Sequence, residues 1–136
     1  MTNNNLSPEL FRVIDANLNR LKEGIRVVED IIRYRDNNKN LSSKLKQLRH
    51  RARVENLEEL LSHRDSVNDV LRPTTQSELT RTDIKSILTA NFKRAEESSR
   101  VLEELYKICD ASLSENFKQI RYELYQLEKE IILSEK

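Results

Sequence analysis

The sequence predicts an all-α fold: an antiparallel four-helix bundle built from two duplicated helical hairpins related by a pseudo-two-fold axis. Three observations lead there. The 136 residues include one Gly and two Pro, little material for tight turns, and 35% are charged, in a chain rich in Leu, Glu, Lys and Arg. That is the composition of long helices. Apolar residues recur at spacings of three and four, the period of a one-sided helix. Finally, residues 14–34, IDANLNRLKEGIRVVEDIIRY, return 74 positions later as LTANFKRAEESSRVLEELYKI. Ala16/Ala90, Asn17/Asn91, Arg20/Arg94, Glu23/Glu97, Arg26/Arg100, Val27/Val101 and Glu29/Glu103 coincide, seven identities where chance gives about one. A second echo follows each copy: Lys46-Gln47-Leu48-Arg49-His50, then Lys118-Gln119-Ile120-Arg121-Tyr122.

The elements follow in order. Ser7-Pro8-Glu9 starts a first helix, with Ser as cap, Pro in the first position and an acid in the first turn, running to about Tyr34. Asp36-Asn37-Asn38-Lys39-Asn40 is a turn, and a second helix follows over about 42–62. Residues 68–80, with Arg72-Pro73-Thr74-Thr75, are the only long irregular stretch. Thr82-Asp83 opens a third helix to about Cys109, Asp110-Ala111-Ser112 turns the chain, and Ser114 begins a fourth that ends near Ser134. The whole, 1–136, reads as a single helical domain: hairpin 8–62, connecting loop 63–80, hairpin 81–134.

The totals exclude several classes. A net charge of +1 gives no global field for nucleic acid or membrane. MTNNNLSPE lacks the basic and apolar regions of a signal peptide, and no 18-residue apolar run exists. The single Cys109 has no internal disulfide partner, reads as a small core residue at a helix end, and fits a reduced, cytoplasmic setting.

Two stripes run along the repeated helix. The first is Ile14, Leu18, Leu21, Ile25, Val28 and Ile32, matched by Leu88, Phe92, Ala95, Ser99, Leu102 and Tyr106. The second is Val13, Asn17, Arg20, Gly24, Val27 and Ile31, matched by Ile87, Asn91, Arg94, Ser98, Val101 and Leu105. It is apolar at its ends and polar in the middle. Set on an inward face, Asn and Arg are costly unless partnered. Gly24, mid-helix at a cost of roughly 1 kcal/mol against Ala, leaves room for a ligand or for close helix packing. One reading has the polar groups satisfy each other, Arg20 with Glu97 and Arg94 with Glu23. The other has Asn17, Asn91, Arg20, Arg94, Arg49 and Arg121 form an anion site, Asn reading a heterocycle edge and Arg forking phosphate or carboxylate. His50 would stack on a base there, or pack at the bundle edge as Tyr122 would. Arg26/Arg100 and Glu29/Glu103 drift round the helix and read as surface or inter-helix salt bridges. Asp65 and Asp69, with Asn68, offer hard oxygens suited to Mg²⁺, or are plain solvated loop acids. No P-loop, HExxH, CxxC or GxSxG is present, so phosphate chemistry would use side-chain cations and helix N-termini.

DANLNRLKEGIRVVED (15–30), LRHR (48–51), HRDSVNDV (63–70), Glu78-x-x-Arg81, NFKRAEESSRVLEE (91–104) and IRYELYQLEK (120–129) resemble the small all-α hydroxymethylpyrimidine phosphate kinase family, over about residues 10–130. That domain occurs alone or fused to thiamine-phosphate synthase, and this chain looks like the standalone form. The resemblance implies ATP- and Mg²⁺-dependent phosphorylation of 4-amino-5-hydroxymethyl-2-methylpyrimidine phosphate to the diphosphate in thiamine synthesis. On chemical grounds Arg20, Arg94, Arg49 and Arg121 would then hold phosphates, and Asn17 or Asn91 the aminopyrimidine. Asp65 and Asp69 would hold the metal, and Glu23 and Glu97 would orient the arginines or join its shell. Leu71 stands where the family usually has Gly, and Ser98-Ser99 where small apolar residues are expected. Thiamine-phosphate synthase is an expected partner, and self-association is open. Two other readings stand beside it: a chorismate-mutase-like bundle enzyme, and a non-enzymatic helical partner or regulator of a thiamine synthesis enzyme.

Overall fold

The computed structural model describes residues 6–135, except the side chains of Ser77 and Glu78. The leader reading of MTNNN and the side-chain half of the Glu78-x-x-Arg81 motif therefore lie outside the described residues. Within them the chain is all-α, with no strand. Helix α1 spans Pro8–Asp30, where the Ser7 hydroxyl accepts the Leu10 N–H and Pro8 occupies the first turn. It passes into a short π-helical turn, Ile31–Arg35. Helix α2, Lys39–Arg51, is capped by Asn38, whose side chain accepts the Leu41 N–H at 3.0 Å. Helix α3 is Leu57–Ser62, and a 3₁₀ turn covers Gln76–Leu79. Helix α4, Ile84–Tyr106, opens on a reciprocal capping box between Asp83 and Ser86. Helix α5, Ala111–Ser134, is capped by Asp110.

Two expected boundaries are corrected. The helix expected over 42–62 is broken at Ala52–Asn56. There Ala52 and Val54 are buried while Arg53 and Glu55 are exposed, the alternation of an extended segment. Burying those two side chains pulls the backbone out of helix. The last helix starts three residues earlier than Ser114 because Asp110, not Ser114, caps it. Ser114 turns inward and donates to the Glu103 carbonyl at 2.8 Å.

The first stripe forms the core. Ile14, Leu18, Leu21, Ile25, Val28 and Ile32 of α1, and Leu88, Phe92, Ala95, Leu102 and Tyr106 of α4, are buried. Helix α1 packs chiefly on α4 and also on α2, α4 packs on α5, and α2 touches α5. A methyl group on Gly24 would sit 2.9 Å from the Asn91 carbonyl oxygen, so this glycine serves close packing of α1 on α4. Among the described residues no helix is long and apolar enough to cross a membrane.

Candidate functional site

The second stripe is buried at Asn17, Gly24 and Ser98 but carries its arginines to solvent, which corrects the expectation that its charged groups converge on an interior site. The stripe sits one residue, about 100°, round the helix from the core stripe, and that rotation carries its longer side chains to solvent. Arg20, Arg94, Glu23 and Glu97 are exposed. Neither Arg20–Glu97 nor Arg94–Glu23 pairs among the described residues. Asn17 is buried and Asn91 half-buried, and each donates its side-chain amide back to its own helix, to Val13 O at 2.8 Å and Ile87 O at 2.9 Å. Each Oδ1 remains as an acceptor. The Asn91 backbone carbonyl lies against Gly24 of α1, so this part of the repeat adjoins the α1–α4 contact. Ser98 bonds the Arg94 carbonyl at 2.7 Å, and Ser99 bonds the buried Phe117 carbonyl at 2.7 Å. The two serines thus use their hydroxyls within the helices.

Arg49 and Arg121 stand apart from that face. Arg49 pairs with buried Glu29 at 2.7 Å, joining α2 to α1, and Arg121 pairs with buried Glu103 at 2.8 Å, joining α5 to α4. The Glu29 carboxylate raises the Arg49 guanidinium pKa; burial works against that of Arg121, which hydrogen bonds to Tyr125 and then Glu103 raise. Arg26 pairs with Asp30 and Arg100 with Glu104 on the surface. Arg121 also lies over the rings of Tyr122 and Tyr125, while His50 is exposed at the end of α2.

The 63–71 loop is tied to α1. Arg64 grips Asp15 with two bonds of 2.7 Å, and Arg12 donates to the Asp65 carbonyl at 3.0 Å. The Asp65 carboxylate accepts both the side chain and the N–H of Asn68, and these bonds hold it below the usual carboxylate range. Asp69 accepts the Leu71 N–H, and Leu71 itself is exposed. No cluster of three metal-ligating side chains occurs among the described residues.

Two features escaped the sequence reading. Asp15 and Arg64 lay inside quoted motifs, yet nothing in their spacing links them across 49 residues. Glu96 is buried beside Glu128 and Lys93, with Lys93 3.3 Å from Glu96 and 3.1 Å from Glu128. Burial, and next the Glu128 carboxylate, push the Glu96 carboxyl up to about 8. Its core-side position, one after Ala95, was the available signal.

Comparison with known proteins places the sequence among relatives. The model of the ThiD2 family matches residues 12–130. A thiamine-phosphate synthase of Synechocystis is 41% identical over 124 residues, 90% of this chain and 36% of that protein. One from Thermosynechococcus vestitus is 38% identical over 136 residues, 96% of this chain and 39% of that protein. One from Rhodopirellula baltica is 35% identical over 132 residues, 93% of this chain and 35% of that protein. The chain thus spans little more than a third of the length of these curated relatives. No solved structure matches it significantly. The relatives carry the name thiamine-phosphate synthase and not that of a hydroxymethylpyrimidine phosphate kinase. This corrects the phosphotransferase function that the sequence resemblance implied, and with it goes the reaction for which ATP and Mg²⁺ were expected.

Proposed function

The chain belongs to the ThiD2 family, and from that premise we propose that it serves thiamine phosphate synthesis by binding a phosphorylated aminopyrimidine on the outer face of α1 and α4. The ligand is thiamine phosphate itself or a pyrimidine phosphate precursor of it. The observation that carries this reading is the repeated set on that face. Among the described residues Arg20 and Arg94 have no carboxylate partner, and each lies one turn from an asparagine whose Oδ1 is free to accept from an exocyclic amine. The arginines would take the phosphate and Glu23 and Glu97 would steer them, since planar guanidinium groups fork phosphate oxygens. Isothermal titration with thiamine phosphate, and with thiamine in parallel, tests it. The phosphate ester binds at least tenfold tighter than thiamine, and Arg20→Ala with Arg94→Ala erases that difference at unchanged helicity. Equal affinity for the two compounds in the unaltered protein would overturn the reading.

A second reading, a helical partner of thiamine-phosphate synthase, is favoured by the apolar ends of the same face. Val13, Val27 and Ile84 there are between 37% and 39% exposed. Sedimentation of the chain mixed with a thiamine-phosphate synthase separates the two readings. A joint species that Val27→Asp abolishes supports the partner.

A further inference from the structure

A second feature lies away from that face, where α1 gives way to α2. The repeat spacing is 74 residues in α1 and α4, as in Glu29 and Glu103, but 72 in α2 and α5, as in Arg49 and Arg121. Two extra residues therefore lie between Ile32 and Asn38. The backbone shows how they are absorbed. The Asp110 N–H donates to the Tyr106 carbonyl four residues back at 2.8 Å. The Asn38 N–H makes the matching bond to the Ile32 carbonyl six residues back, at 3.2 Å. The surplus goes into the π turn Ile31–Arg35 and into Asn37, whose φ of 52° is left-handed. Single π turns mark functional sites more often than chance.

This widened turn walls a pocket of about 340 Å³, lined among others by Arg33, Lys39 and Lys46. That is at the lower end of small-molecule sites, roughly 300–1,000 Å³. Among the described residues none of the three cations has a carboxylate partner, and Arg33 merely overlies the Tyr34 ring at 5.0 Å. The acid in the wall, Glu29, is taken by Arg49, and neighbouring Asp36 is taken by Arg35 at 2.7 Å. The pocket is left with an uncompensated positive charge. The corresponding turn of the second half is more acidic. Asp110 stands in place of Asn38, Ala111 in place of Lys39 and Glu115 in place of Ser43, and Lys107 is paired with Glu104 at 2.6 Å. The second repeat keeps cations for two of the three, Lys107 for Arg33 and Lys118 for Lys46, but carries acids where the first has the neutral Asn38 and Ser43, and lacks its two extra residues of backbone.

We propose that the pocket between the π turn and the start of α2 binds a small phosphorylated anion, a phosphate monoester or a diphosphate group, through Arg33, Lys39 and Lys46. The first-turn N–H groups of α2, beyond the one that Asn38 caps, add donors to the same side. The site is separate from the α1–α4 face and does not rest on the function proposed for it. The anion is either a free phosphate compound or the phosphate end of a larger ligand.

The test is ¹H–¹⁵N chemical-shift titration of the full chain with inorganic pyrophosphate, and with thiamine phosphate in parallel. Saturable shifts centred on residues 33–46 are expected, weakening with salt. Asn38→Asp keeps a helix cap of equal quality while giving the pocket the charge of its counterpart. It should weaken pyrophosphate binding at least tenfold without changing helicity, as should Lys39→Ala with Lys46→Ala. Lys107→Ala, at the matching turn of the other half, should leave it unchanged. Thiamine phosphate shifting the same residues would assign the pocket to the end of a larger ligand, and pyrophosphate alone doing so to a free anion. Absence of shifts at millimolar pyrophosphate, or tight binding that survives Asn38→Asp, would overturn the proposal.

Discussion

At position 24 one methyl group decides how closely two helices approach. Ala is the better helix former by about 1 kcal/mol, so propensity alone predicts that Gly24→Ala stabilises the protein. The Cβ would meet the backbone oxygen of Asn91 at 2.9 Å, and a backbone atom gives way only if α4 moves. Overpacking of this kind costs typically 1–3 kcal/mol. Gly24→Ala should therefore come out neutral to destabilising by about 2 kcal/mol in urea denaturation, and a gain in stability would contradict the packing argument. Glu96 makes a claim of another kind. Its folded-state pKa of about 8 lies above its ordinary 4.5, so between those values the folded chain holds a proton that the unfolded chain has released. The stability this contributes is complete below pH 4.5 and is lost as pH rises through 8. Thermal unfolding followed from pH 5 to pH 9 should show the melting temperature falling across that window. Glu96→Gln, neutral at every pH, should flatten the fall.

Among the elements, α3 hangs on one residue. Leu60 is the buried side chain of its six residues, while Leu57 and Leu61 are half exposed or more. A helix this short has no stability of its own, so Leu60→Ala should release α3 and cost about 2–4 kcal/mol. Hydrogen exchange should quicken at residues 57–62 while α1, α4 and α5 stay protected. Equal loss everywhere would make α3 part of the core unit. The element boundaries also show which signals were legible. Caps built from local side chains, such as Ser7 and Asp83, could be read directly, because their hydrogen bonds span three residues. The break at Ala52–Asn56 could not, since it is the core that draws in Ala52 and Val54. Nor could the π turn, whose only trace is a two-residue change in repeat spacing.

For the molecule as a whole, the same clamp recurs in both halves: a buried glutamate on α1 or α4 held by an arginine on α2 or α5. The helices and their core stripe followed from periodicity, but the partners of Arg49 and Arg121 did not. An arginine suits a phosphate and a buried carboxylate equally well. Which it meets depends on the register between two helices, and spacing within one helix says nothing of that. The structure gives Arg49 to Glu29 and Arg121 to Glu103, leaving Arg20 and Arg94 without a carboxylate among the described residues. The consequence is measurable. The Arg121 and Glu103 side chains are 8% and 7% exposed, so Arg121→Met strands a carboxylate where water barely reaches it. Breaking a buried pair from one side costs about 3–5 kcal/mol, whereas replacing both partners by apolar groups of like size is far cheaper. Arg121→Met should thus lower stability by about that amount in urea denaturation. Adding Glu103→Leu should recover much of the loss, because the charge that lacked a partner is then gone. If the double variant is no more stable than the single, the arginine acts through its stacking on Tyr122 and Tyr125 and not through the ion pair.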